Sequence, residues 1–155
     1  MLVEAHIDVK IMTLSALCVG ASYPPEYATE GSAGVDLRAC VYEPIELAPG
    51  ERVRVPTGIA VQMPPGVVGM VFARSGLAWN YGIGLPNGVG VIDSDYTGEI
   101  QVLLMNFATA SYSIHPQDRI AQIVFLPVYT ARWLSVTQLF ATARGVGGFG
   151  STGKN

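Results

Sequence analysis

The side chains able to do chemistry lie in short polar clusters set among glycines. Asp93 ends the apolar run VGVI, where an unpaired carboxylate would be costly, so it either serves a turn or is held for chemistry. Asp95 is the neighbouring carboxylate and reads as a turn residue; Tyr96 can cap a core. Arg74-Ser75-Gly76 opens the best helical stretch, SGLAWNYG, with Ser75 placed as its N-cap, and the N–H groups at such a start can seat a phosphate. Asp36 stands in an otherwise apolar setting. The tail RGVGGFGSTGKN is costly to order because glycine loses the most backbone entropy. Its Gly145-x-Gly147-x-x-Gly150 spells a dinucleotide fingerprint, and Gly148 to Lys154 spells most of a P-loop. Both motifs aim the N-terminus of a following helix at phosphate, and no such helix is expected in the two residues after Gly153. What remains is a set of glycine N–H groups able to wrap an anion, with Arg144, Phe149, Ser151 and Thr152 beside them. The alternative is a solvated, disordered tail.

Composition limits what can position these groups. A chain of 155 residues is expected to form one domain. Half of its residues are apolar and only 14% are charged, more apolar surface than a small domain needs for its own core. The run from Val55 to Ala73 is uncharged but holds three prolines and three glycines, which predicts strand and turn and no membrane span. The stretch IMTLSALCVGA follows acidic residues and is not expected to be an export signal. Oligomerisation is the remaining outlet, because subunit interfaces bury apolar surface much as a core does. Cys18 and Cys40 lack metal or redox spacing and are expected to be reduced thiols, which places the chain in the cytoplasm. His6 and His115 are the only histidines, too few for a histidine-rich zinc site, so a metal here would be oxygen-bound. A net charge of −3 argues against a broad basic surface for nucleic acid.

Eighteen glycines and ten prolines punctuate short segments rich in valine, isoleucine, leucine and tyrosine, the pattern of an all-β sandwich or barrel. VRVPTGIAVQM, GVVGMVFA, EIQVLLMNF and RIAQIVFLPVY are predicted strands. Pro49-Gly50 and Pro64-Pro65-Gly66 are predicted turns. Asn87-Gly88 between apolar flanks is a two-residue hairpin signal.

Five stretches carry the polar groups: AGVDLRA at 33–39, ARSGLA at 73–78, NGVGVIDSDYTGEI at 87–100, RIAQIVF at 119–125 and RGVGGFGSTG at 144–153. Their order, spacing and wording closely resemble the five motifs of the trimeric dUTPases, the dUTP nucleotidohydrolases, from about Tyr23 to Gly153. That resemblance implies an all-β, jelly-roll-like barrel or sandwich with one short helix. It also implies a domain over residues 1–143, a flexible glycine-rich arm over 144–155, and a homotrimer whose sites are shared between subunits. The implied activity is magnesium-assisted hydrolysis of dUTP to dUMP and pyrophosphate, which limits uracil in DNA and supplies dUMP for thymidylate synthesis. No nucleic-acid or membrane partner is implied.

By the same resemblance, Asp93 is the general base for the attacking water. Tyr96 packs against deoxyribose and leaves no room for a 2′-hydroxyl. Asn87, with one acceptor and two donors on its amide, suits the polar edge of uracil, and Val91, Ile92 and Gln101 complete that side of the substrate. Arg74, Ser75, Gly76 and Gln122 hold the phosphates. Asp36 contacts the hydration shell of Mg²⁺, with the ion mainly on the triphosphate. Phe149 covers the base, and Arg144, Gly150, Ser151 and Thr152 close over the phosphates. Arg38 and Arg119 are taken as structural or interfacial. Ala73 stands where many relatives have proline, and Trp79 is bulkier than expected. The rivals are a dCTP deaminase-like trimer, for which Glu99 is the nearest candidate carboxylate, and a catalytically idle jelly-roll module that binds a protein.

Overall fold

A computed structural model describes residues 6–18 and 24–148 of the chain. Two antiparallel four-stranded sheets face each other. The first orders β1 (Lys10–Thr13), β4 (Arg52–Gln62), β8 (Glu99–Asn106) and β6 (Ile83–Gly84) side by side; the second orders β2 (Val35–Arg38), β10 (Arg119–Pro127), β5 (Val67–Phe72) and β7 (Gly90–Ile92). A small ribbon pairs β3 (Ile45–Leu47) with β9 (Tyr112–Ile114). This is the expected jelly-roll-like sandwich, and all four predicted strands are present.

The core follows from strand periodicity. Ile100, Val102, Leu104 and Asn106 point inward along β8, while Gln101 and Leu103 between them are exposed, the period of two that one buried face demands. Across the gap, Val35, Leu37, Val71 and Ile123 of the second sheet join Ile100, Val102 and Leu104 in one buried cluster. Strand β4 departs from alternation: its register against β8 shifts between Pro56 and Ala60, with Gly58 at φ +68°. Two bonds tie the irregular stretch down. Thr57 Oγ1 donates to the Ile100 carbonyl at 2.6 Å, and the Gly58 N–H donates to Glu99 Oε1 at 2.8 Å.

Among the described residues the one α-helix, α1, spans Ser75–Tyr81 and ends at Gly82, whose φ of +66° is left-handed. A Cβ there would lie 2.8 Å from that of Ala108, so glycine serves both the cap and the close approach. Three expectations need correction. Ser75 is the first helical residue, and Arg74 occupies the N-cap position without a side-chain cap bond. The Asn87-Gly88 turn closes through Gly88 N–H to the Leu85 carbonyl at 3.0 Å, but its flanks, β6 and β7, pair with β8 and β5 in different sheets. It is therefore a sheet-to-sheet crossing and not a hairpin. Cys40 is disulfide-bonded and not a reduced thiol, which removes the cysteine argument for a reducing compartment.

The segment resembling a signal core begins as β1, paired along β4. No helix among the described residues is long and apolar enough to cross a membrane. After β10, residues 128–148 form neither strand nor helix, and Tyr129, Trp133, Leu139 and Phe140 are almost wholly exposed.

Candidate active site

Three adjacent strands build a charged pocket. Gln122 on β10 stands in register with Asp36 on β2 and with Phe72 on β5, and the chain leaving β5 carries Arg74 to the same edge. Arg74 Nε lies 2.8 Å from Asp36 Oδ1, and Arg119 Nη1 lies 3.3 Å from Asp36 Oδ2. Arg74 Nη1 also donates to the Arg119 carbonyl at 3.2 Å. Gln122 Nε2 donates to the Ala73 carbonyl at 3.1 Å, fixing the backbone just before Arg74. Gly34 makes room for that amide, since a Cβ there would meet Gln122 Oε1 at 2.6 Å. The cavity is about 470 Å³ and includes Ser75 and Gly76 in its wall. Each guanidinium has five donors, so both arginines keep N–H groups that can turn to an entering anion.

Arg119 is the pocket residue that sequence reasoning missed. It lies three positions from Gln122, which in a regular strand puts the two side chains on opposite faces. The register of β10 against β2 shifts between Arg119 and Ala121. Such a bulge adds one residue and returns Arg119 to the face of Gln122. Arg38 is structural as expected, donating from Nη1 to the Gln117 carbonyl at 2.9 Å.

The second cluster lies elsewhere. Asp93 follows β7, whose Ile92 is opposite Gly69 and whose Gly90 is opposite Val71. Gly69 and Arg74 are five positions apart, or roughly 17 Å along extended chain. The Asp93 and Asp95 side chains are exposed, and the Tyr96 N–H closes the turn onto the Asp93 carbonyl at 3.1 Å. Tyr96 donates its hydroxyl to the Glu99 carbonyl at 2.9 Å. Gln101 Nε2 donates to Glu99 Oε2 at 3.2 Å, so both oxygens of the Glu99 carboxylate serve the β4–β8 junction. Asn87 is exposed and donates to the Val89 carbonyl at 3.2 Å.

Thus one chain gathers Asp36, Arg74, Ser75, Gly76 and Gln122, and adds Arg119. It does not bring Asn87, Val91, Ile92, Asp93, Tyr96 or Gln101 into that pocket. Arg144 sits on an exposed turn with Nε donating to the Gly147 carbonyl at 2.9 Å. Phe149, Gly150, Ser151 and Thr152 lie outside the described residues. Near the C-terminal end of α1, Tyr112 packs on Tyr81 with ring centroids 5.0 Å apart. Burial pushes its hydroxyl pKa up; Asp118 and Tyr81 add to this, and Arg74 opposes it.

Among the described residues no group of three or more histidine, cysteine or acidic side chains is placed to hold a metal. Both Asp36 oxygens already face guanidiniums, so the donor set fits a metal that arrives on a ligand and meets this carboxylate through water, not an ion caged by protein.

Fold and pocket together define an all-β jelly-roll protein with an anion seat at one sheet edge. The dUTPase family model matches residues 22–153. The deoxyuridine 5′-triphosphate nucleotidohydrolase of Desulfitobacterium hafniense is 53% identical over 130 residues, covering 83% of this chain and 86% of that one. An Escherichia coli K12 protein of the same name is 47% identical over 150 residues, covering 96% and 97%. The dUTPase of Staphylococcus bacteriophage 80alpha, solved with dUPNHPP, superposes with a TM-score of 0.83 at 26% identity, covering 94% of this chain and 98% of that one. The chain belongs to the dUTPase family.

Proposed function

We propose that this chain hydrolyses dUTP to dUMP and pyrophosphate through attack of a water on the α-phosphorus. The observation that carries the reading is the pocket in which Arg74 and Arg119 converge on Asp36 beside Ser75, Gly76 and Gln122. A triphosphate entering it meets two delocalised cations and two polar side chains, with donors already oriented by the Asp36 carboxylate. Magnesium, when bound on the triphosphate, supplies further charge neutralisation there, and Asp36 receives its water shell. Removing dUTP keeps uracil out of DNA and furnishes dUMP for thymidylate synthesis.

Asp93 takes the proton of the attacking water as the bond to the pyrophosphate leaving group breaks in line with it. The distance between Asp93 and Arg74 along one sheet supports a site shared between copies: the phosphate seat of one subunit receives the 87–101 region of a neighbour in a homotrimer. There Asn87, with the backbone at Val91 and Ile92, reads uracil, Tyr96 excludes a 2′-hydroxyl, and Gln101 borders the same side. The body spans 1–143, and the 144–155 arm closes the site. Phe149 covers the base, and Arg144, Gly150, Ser151 and Thr152 reach the phosphates, excluding water and strengthening the charge interactions. The exposed aromatic residues after β10 support burial against another copy. Action in the cytoplasm, without nucleic acid or membrane, rests on the family reading, since the cysteines no longer support it. A deaminase reading is disfavoured because Glu99 is committed to Gly58 and Gln101.

The test is pyrophosphate release from dUTP, UTP, dCTP and dTTP, with and without Mg²⁺. Release confined to dUTP and dependent on Mg²⁺ is expected; ammonia release from dCTP would replace the assignment with deamination.

A further inference from the structure

The side chain proposed to exclude ribose stands against a residue that has no side chain of its own. Gly98 has no Cβ, and the Tyr96 ring occupies the space where one would be. A Cβ built on Gly98 would lie 2.7 Å from the Tyr96 hydroxyl oxygen, 2.8 Å from Cζ and 3.1 Å from Cε2. All three nearest atoms belong to this one side chain. Two are ring carbons, so the phenol cannot escape by a terminal rotation and the whole side chain must swing. The backbone of Gly98 is not left-handed, so alanine is tolerated there by the main chain itself.

The pose is pinned at its other end. The Tyr96 hydroxyl donates to the Glu99 carbonyl, and Glu99 is anchored to β4 through the Gly58 N–H. The phenol therefore lies folded back over its own turn, with the Asp93 carbonyl and Tyr96 N–H closing that turn beneath it. Strand β8 begins at the next residue, so the wall's position is referred to the rigid sheet and not to a loose loop.

We infer that Gly98 is a specificity-determining position for the sugar: by lacking a side chain it sets where the Tyr96 ring stands, and so how sharply dUTP is preferred to UTP. This rests on Tyr96 being the sugar filter. A methyl group at position 98 pushes the ring off the pose that walls the 2′ position, and discrimination falls because the space that rejected one hydroxyl opens.

The experiment compares kcat/KM for dUTP and UTP in the full-length protein and in Gly98→Ala, Tyr96→Ala, the double variant, and Gly31→Ala, whose Cβ meets nothing within 4 Å. Gly98→Ala is expected to lower the dUTP:UTP ratio by about tenfold or more, while the dUTP:dCTP ratio, read at the base, stays put. The double variant is expected to match Tyr96→Ala, because residues acting through one contact are non-additive. Gly31→Ala should be unchanged. If Tyr96→Ala leaves the ratio intact, the sugar-filter reading fails. If Tyr96→Ala collapses the ratio and Gly98→Ala does not, the inference about Gly98 fails alone. Should Gly98→Ala not fold, the double variant, freed of the clash, must fold; if it does not, the steric account is wrong.

Discussion

The Asp36 pocket and the Asp93 turn are built in opposite ways. Asp36 and Gln122 come from the paired strands β2 and β10, Arg119 from the start of β10 and Arg74 from the helix N-cap just after β5; both arginines bond Asp36, and Gln122 ties down the backbone at Ala73. The Asp93 turn is exposed and is organised by backbone bonds and one tyrosine tether. The first region is held together by contacts within one chain, whereas the carboxylate of the second is exposed on that chain. Preorganised charge is worth most where a highly charged ligand must be desolvated. A base needs only to reach one water, so it can be delivered from a neighbouring chain.

The comparison breaks most visibly at the base. Asp93→Asn keeps size and much of the hydrogen bonding, so turnover is expected to fall about 10²–10⁴-fold with substrate affinity nearly unchanged. Single-turnover rates and binding of a non-hydrolysable analogue would separate the two effects; an Asn variant of ordinary turnover overturns the role, and Asp95→Asn should cost far less.

A mixing experiment sharpens the separation of the two regions. Asp93→Asn and Arg74→Ala chains are each expected to be nearly inactive at low substrate. If seat and base come from different subunits of a trimer, random 1:1 reassembly restores about a quarter of wild-type sites. If one chain supplied both, no mixture would contain an intact site, and native mass spectrometry of the mixed trimers makes absence of rescue decisive.

Within the seat, Arg119→Gln keeps a donor but removes a cation facing both Asp36 and the entering phosphates. KM is expected to rise roughly 3- to 10-fold with a smaller change in kcat, the order of one charge-assisted bond. A fall confined to thermal stability would make Arg119 purely structural.

The smallest effect concerns the packing behind the helix. The folded pKa of Tyr112 is raised, so the folded state holds that proton more tightly than the unfolded chain. The resulting stability is fully present below the unfolded value near 10 and is lost as pH rises through the folded one. Tyr112→Phe retains the ring against Tyr81 and should flatten the alkaline limb of the melting-temperature profile, leaving the neutral region little changed.

Strand and helix identities were readable because they depend on local alternation and punctuation. EIQVLLMNF shows its period of two in the letters, and SGLAWNYG ends at a glycine suited to a left-handed cap. Errors arose where a local signal met a competing partner. Asn87-Gly88 has the composition of a hairpin, yet its flanking strands find better neighbours in separate sheets. Ser75 has the chemistry of a cap but enters the helix one position later.

The sequence by itself determined the family, the all-β fold and the set of polar side chains available, because motif wording and hydrophobic period are properties of adjacent residues. Only the tertiary structure decided which of those side chains meet. Arg119 joined Asp36 through a one-residue bulge that reverses its face, a displacement invisible to a pattern count. The same pairing of β7 along β5 carried Asp93 away from the Arg74 pocket. Register sets these outcomes, and register is fixed by long-range strand pairing and the burial of one face, which no short stretch of sequence contains.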